Sequence, residues 1–288
     1  MHRGQKAQAG DRVESIFRSI RSIEEYVQHH YGLRIENLDV LDVGAGQYLI
    51  QLHYFAAKNR AVGIDFDVIA QGFDPSAIFK MWRFNGLRRV IKTILRKCAG
   101  IDRAYSTQLR WRLNLSSLPK LDVRQMNACD LKFPDASNDF VHCYSVFHHL
   151  PDPEAAFLHI VRVLRPGGVA YISFHLYTSF CGSLDPRAMS GDKSSLEPWA
   201  HLRPGLMGEV RPNAFVNKLR LSEWQALAKK CLPNATVILN PSSRQGIKRE
   251  AEVLITTVQL SEYSLEELVT HEVVIYWQKP HSHGQSTS

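Results

Sequence analysis

Apolar side chains recur every three or four residues at Val13, Ile16, Phe17, Ile20, Ile23 and Val27, set among arginines and glutamates. This spacing predicts an amphipathic helix laid against the domain that follows. After it come short, two-sidedly apolar runs that end in turn residues: LDVLDVG at 38–44, AVGIDF at 61–66, VRQMNAC at 123–129, NDFVHCYS at 138–145 and GVAYISFH at 168–175. ATVILN at 235–240 and HEVVIYWQKP at 271–280 continue the series. Helical patterns separate several of these runs, so the chain reads as an α/β protein with a doubly wound, mostly parallel seven-stranded sheet covered on both faces. EAAFLHIVRVLRPGG puts Ala155, Ala156, His159, Ile160 and Val163 on one helical stripe that stops at Pro166-Gly167-Gly168, and residues 222–234 read as another helix. Residues 1–280 are expected to form one domain with a helical cap at 1–34 and helical insertions at 68–120 and 241–270, followed by a disordered tail at 281–288.

Composition narrows the class only a little. Thirty-five basic against 28 acidic residues give a net charge of +7, which favours anionic partners without naming one. The five cysteines are odd in number and form no CxxC pair, so neither a disulfide framework nor a zinc site is indicated and no metal is expected. No early apolar stretch resembles a signal peptide and no run approaches the ~18 apolar residues of a membrane span. The expected location is therefore the cytoplasm, with peripheral contact at the inner face of the membrane as the variant.

The chemistry gathers at strand ends. The first strand closes at Asp42 and runs into Val43-Gly44-Ala45-Gly46-Gln47-Tyr48, where glycines permit a tight turn and let a ligand approach main-chain N–H groups. Asp65 ends the second strand about twenty residues later, placed to bind ribose hydroxyls. That pair fits NAD as well as S-adenosyl-L-methionine. Three more features separate the two: Ala128-Cys129-Asp130-Leu131 with Phe133-Pro134-Asp135, then Ser145-Val146-Phe147-His148-His149-Leu150-Pro151-Asp152, then LRPGG. With these in order over residues 38–175, the sequence resembles the class I S-adenosylmethionine (SAM)-dependent methyltransferases, in particular the small-molecule, type 11-like branch that includes quinone-ring and sugar methyltransferases.

The resemblance implies a Rossmann-like class I fold and S-adenosyl-L-methionine as cofactor. It assigns Asp42 and the Gly44-Ala45-Gly46 turn to the amino-acid part of the cofactor, Asp65 to the ribose, and Phe66 to packing on the adenine. Asp130 would accept from the adenine amine beside the Leu131 backbone, and Ser145 would line the floor near the sulfonium. Tyr48 departs from the pattern, because the family often has a third glycine there.

Methyl transfer from a sulfonium needs positioning more than a triad. A hydroxyl acceptor would still benefit from a general base, and His149 and His175, at strand ends, are the candidates. The implied substrate is a small polar molecule, such as the hydroxyl of a sugar or glycolipid, lipid-linked or phosphate-bearing acceptors included; the acceptor atom and the oligomeric state stay open. The polar and aromatic stretch from His175 to Arg187 is the expected acceptor wall. A weaker likeness points to methyltransferases of polysaccharide and glycolipid synthesis. The segment 78–100 carries seven basic residues and no acidic one, with Leu87, Ile91, Ile94, Leu95 and Cys98 on one helical face. It reads either as a helix packed over the fold or as a surface for peripheral membrane contact through residues 78–98. Three alternatives remain: RNA methylation, disfavoured as no RNA-binding module is appended; a non-catalytic SAM-binding scaffold; and a nicotinamide-dependent oxidoreductase.

Overall fold

The computed structural model describes residues 6–189 and 196–281. Helix α1 (Ala9–Tyr31) precedes β1 (Asp39–Val43), α2 (Ile50–Ala56) and β2 (Arg60–Asp65). Three helices, α3 (Pro75–Asn85), α4 (Leu87–Cys98) and α5 (Ile101–Leu113), stand between β2 and β3 (Asp122–Gln125). Then follow β4 (Asn138–Tyr144), α6 (Pro153–Val163), β5 (Leu164–His175), α7 (Leu221–Cys231), β6 (Thr236–Pro241), α8 (Ile247–Thr256), α9 (Leu265–Val269) and β7 (Thr270–Gln278). The strands form one seven-stranded sheet in the order β3-β2-β1-β4-β5-β7-β6. β1 pairs parallel with β2 and β2 with β3, whereas β6 and β7 are antiparallel. This is the doubly wound, mostly parallel class expected from the strand pattern.

Packing groups the chain into two compact units where the sequence reads as one domain. The first comprises the residues up to His142, Arg162–Ala170 and those from Gln278 on; the second comprises Cys143–Val161 and Tyr171–Trp277. In the first unit the stripe predicted on α1 is the buried one: Val13 and Phe17 pack with Ile50 of α2 and with Ile101, Tyr105 and Leu109 of α5. Gly63 on β2 is required by the approach of α2, since a Cβ there would lie 2.6 Å from Leu52 Cδ2 and 3.0 Å from Ala45 Cβ.

Two expected boundaries move. Pro166, Gly167 and Gly168 lie inside β5 rather than ending a helix, because the Gly167 amide donates to the Lys279 carbonyl (2.8 Å) and the Lys279 amide to that of Gly168 (2.9 Å). Pairing with a distant segment overrides the local turn signal. The third strand is also shorter than the run 123–129. Asn127 accepts the Cys129 amide on its side chain and the Asp130 amide on its carbonyl, which curls the chain out of the sheet after Gln125. Of the tail expected at 281–288, residues 282–288 lie outside the described residues.

In the second unit, Trp224 of α7 is almost fully buried against Phe174, with ring centroids 4.1 Å apart, and near Phe147 at 6.3 Å. Trp224→Ala should lower stability by about 3–5 kcal/mol through lost burial and the cavity left behind. Thermal unfolding of the variant measures this. A second cluster joins Phe180, Cys181, Trp199 and Leu202 to Ile247 and Ala251 of α8. It absorbs much of the stretch expected to form an acceptor wall: Leu176, Thr178, Ser179 and Ser183 are buried, as is Asp185, which is ion-paired to Arg187 at 2.6 Å. That stretch is mainly core, because its aromatic and small residues pack against the C-terminal helices.

Candidate functional site

The turn after β1 and the end of β2 meet within the first unit. Gly44 and Gly46 take φ values of +77° and +68°, conformations that a side chain would strain. The Gly44 and Ala45 amides donate to the Ile64 carbonyl at 2.8 and 2.9 Å, and the Gly46 amide donates to Asp65 Oδ2 at 3.0 Å. Asp65 Oδ1 accepts the Asp67 amide at 2.9 Å. Each carboxylate oxygen thus holds one backbone donor and keeps a lone-pair direction for another. Burial raises the Asp65 pKa above the ordinary carboxylate range, and the Asp67 and Gly46 amides work against that rise. Among the described residues a Cβ built on Gly46 would meet only the Gly44 carbonyl, at 3.9 Å, so the space over the turn is open. The Phe66 ring next to the carboxylate is exposed. An open turn, a carboxylate with spare acceptors and an exposed ring suit a nucleoside carrying a hydroxylated sugar, which is the cofactor part the resemblance assigns here.

The insertion helps hold this place. Asn85 at the end of α3 clasps Val68 with two bonds of 2.9 Å, its Oδ1 accepting the Val68 amide and its Nδ2 donating to the Val68 carbonyl, and Arg89 of α4 pairs with Asp67. Tyr48 turns into the insertion, where it stacks on Tyr105 at 4.1 Å beneath the Arg96 guanidinium, 4.9 Å from the ring. The missing third glycine is therefore occupied by a packing residue. Next to this turn lies a cavity of about 730 Å³, walled by Gln47, His53, Gln71, Lys97 and Arg103 among others. His53 in its wall is buried, which pushes its pKa down to about 4.

The remaining assigned residues are distributed as follows. Asp42 is buried and receives His142 Nδ1 on Oδ1 at 2.7 Å, while its Oδ2 has no hydrogen-bond partner among the described residues. Asp130 sits in the turn after β3, paired with Lys132 at 2.6 Å. Leu131 is buried, and its carbonyl accepts from Arg162 at 2.6 Å. Arg162 also bonds the Phe133 carbonyl at 2.7 Å and the Asp135 carboxylate at 2.6 Å, so one guanidinium fixes the whole 131–135 loop. Neither His142 nor Arg162 stands out in the sequence. The usable signal for His142 was a polar side chain in the middle of an apolar strand, which requires a buried partner.

Ser145, His148, His149 and His175 belong to the second unit. Ser145 has φ +59° and donates its amide to the Ser173 carbonyl at 2.8 Å. His149 Nδ1 lies 2.7 Å from the Phe215 carbonyl and His175 Nδ1 3.3 Å from the His271 carbonyl. A carbonyl only accepts, so in each neutral ring Nδ1 carries the proton and Nε2 is the basic atom. Burial together with the two flanking imidazoles drives the His148 pKa down to about 2, keeping this ring neutral, and its Nδ1 faces the His175 amide at 3.4 Å. Asn217, which sequence reasoning assigned no role, ties the turn that carries these histidines: its amide donates to the His148 carbonyl (2.8 Å) and its side chain to those of Phe147 (2.9 Å) and Leu150 (3.0 Å). Among the described residues no histidine, cysteine or carboxylate group forms a cluster able to hold a metal ion.

Residues 86–172 match a family model described as a methyltransferase domain. The chain is similar to SAM-dependent methyltransferases. A probable S-adenosylmethionine-dependent methyltransferase of Mycolicibacterium smegmatis is 36% identical over 84 residues, which is 29% of this chain and 32% of that protein. The sterol 24-C-methyltransferase of Aspergillus fumigatus is 30% identical over 156 residues, 54% of this chain and 32% of that protein. The matched stretch thus spans about a third of each relative's length. The phosphoethanolamine N-methyltransferase 2 of Haemonchus contortus, solved with S-adenosyl-L-methionine, superposes with a TM-score of 0.48 at 14% identity, covering 90% of this chain and 53% of that one. The methyltransferase-domain match includes Asp130, Leu131, Ser145, His148 and His149, and it begins after Asp42, Gly46 and Asp65. The turn and ribose carboxylate of the methyltransferase reading therefore rest on their own geometry.

Proposed function

We propose that the protein is a SAM-dependent methyltransferase acting on a small polar acceptor, the hydroxyl of a sugar or glycolipid being the class its sequence likeness favours. The carrying observation is Asp65, a carboxylate at the end of β2 that grips the amide of an open glycine turn and keeps acceptor capacity on both oxygens. The match of residues 86–172 to a methyltransferase domain supports the same reading. In it Gly44, Ala45 and Gly46 hold the amino-acid part of the cofactor with Asp42 behind them, Asp65 the ribose, Phe66 the adenine face, Asp130 and Leu131 the adenine edge, and Ser145 the region of the sulfonium. S-adenosylmethionine supplies a methyl group already activated on sulfur. What the chain must then add is orientation, exclusion of water and, for a hydroxyl, removal of a proton.

His149 is the better placed proton acceptor of the two candidates, since the short bond from its Nδ1 to the Phe215 carbonyl fixes the ring with Nε2 basic. His149→Gln should lower kcat by roughly 10²–10⁴-fold with little change in KM, whereas His175→Gln, if that residue only braces the turn, should cost far less. Radiolabelled methyl transfer to a panel of glycans, quinones, sterols and RNA identifies the acceptor. Labelling of RNA alone would overturn the small-molecule reading.

A further inference from the structure

Helix α4 turns its apolar side outward. Val90 and Thr93 are its buried residues, while Leu87, Ile91, Ile94 and Leu95 are exposed, Leu87 by 58% and Leu95 by 54% of their surface. In the preceding helix α3, Met81 is buried, and Phe79, Trp82 and Phe84 project into solvent, the first two with ring centroids 5.7 Å apart. Helix α4 is thus held to the fold by a narrow strip and presents its greasy face to the outside. Seven basic residues and no acidic one lie between Pro75 and Ile101. Arg89 is engaged by Asp67 and Arg96 and Lys97 by Asp102, which leaves Lys80, Arg83, Arg88 and Lys92 without an ion pair among the described residues.

We infer that α3 and α4 form a docking surface for an anionic phospholipid bilayer, with the apolar face of α4 and the aromatic residues of α3 entering the headgroup boundary and the free cations meeting lipid phosphates. An exposed apolar stripe flanked by lysine and arginine is the pattern of a helix lying in a membrane interface, and tryptophan and phenylalanine suit that depth. No described helix is long and apolar enough to cross a membrane, so the contact is one of lying on the surface. Charge selects this occupant over the others. A second copy would bring the same uncompensated cations against these across a two-fold contact. Nucleic acid would satisfy the cations and leave Leu87, Ile91 and Leu95 in water. The inference stands on this surface alone and is independent of the methyl acceptor.

Co-sedimentation of the full chain with vesicles tests it. Binding is expected to vesicles of phosphatidylcholine mixed with phosphatidylglycerol, little to phosphatidylcholine alone, and binding should weaken as salt is raised. The combined variant Leu87→Ser, Ile91→Ser, Leu95→Ser should reduce partitioning at least about tenfold, and Arg88→Gln with Lys92→Gln should do so selectively for the anionic vesicles. Both sets should keep the thermal midpoint and SAM affinity of the parent, which separates loss of docking from loss of fold and from failure of the methyltransferase reading. Equal vesicle binding by parent and serine variant, absence of binding to anionic vesicles, a dimer abolished by the serine changes, or retention by RNA with none by vesicles would each overturn the inference.

Discussion

Asp65→Ala is expected to weaken SAM binding by roughly 10²–10⁴-fold, since hydrogen bonds to a charged group are worth about 1.5–3 kcal/mol each and both ribose hydroxyls would lose their acceptor. Isothermal titration of parent and variant reads this directly. In the parent, SAM at a hundredfold over Kd should add about 2.7 kcal/mol of stability, and the variant should lose most of that gain. The same carboxylate also holds the Gly46 and Asp67 amides, so the variant without ligand is expected to unfold somewhat earlier than the parent. Asp65→Asn retains one acceptor oxygen and should fall between the two. Unchanged SAM affinity in Asp65→Ala would remove the ribose assignment, and stabilisation by NAD in place of SAM would replace the methyltransferase reading with a dehydrogenase one.

Acid should unfold this protein well above the carboxylate range. Burial holds four imidazoles neutral in the folded state: His53, His201 and His271 are pushed down to about 4 and His148 to about 2. The flanking imidazoles add to the shift at His148, and His175 adds to it at His271. An unfolded histidine titrates near 6.5, so between about pH 6.5 and 4 the unfolded chain binds protons that the folded chain refuses, and stability falls as pH falls. With four such groups the slope approaches about 5 kcal/mol per pH unit near pH 5, against a total stability of order 5–15 kcal/mol. Glu24, Asp65 and Glu267, raised by burial, take up protons in the folded chain above the ordinary carboxylate range and so offset part of this loss, whereas Asp185, held low by Arg187, adds its own loss from that range downward. A pH series followed by circular dichroism should show loss of structure by about pH 5. His53→Gln should flatten the slope by about one proton. Full structure retained at pH 4 would mean that these rings are protonated in the folded chain.

Much of the architecture is written locally. The 3.6-residue stripe from Val13 to Val27 is the buried face of α1, and the most apolar runs are the central strands β1, β4 and β5, because a strand covered on both faces needs apolar residues throughout. Strand ends were legible for a related reason: a carboxylate such as Asp65 directly after an apolar run, with a Gly-x-Gly turn about twenty residues before it, marks where a polar ligand can meet main-chain donors.

What sequence could not determine depends on residues far apart in the chain. LRPGG looks like a helix stop and is strand, since Lys279 supplies the pairing. Asp42 looks like a ligand residue, and its nearest partner is His142, one hundred residues away and inside the core. Arg162 looks like one polar position on an apolar helix, yet it holds three groups of the 131–135 loop. Periodicity likewise revealed that α4 has an apolar and a basic side and was silent on which side meets the protein. Amphipathicity is a property of one helix, whereas the choice of buried face depends on what packs beside it, here Met81 and Ala70 against Val90. The sequence by itself determined the sheet, the order of its strands along the chain and the place of the strand-end carboxylates. Only the tertiary structure decided that the apolar face of α4 is exposed, because burial is settled by contacts between segments and not within them.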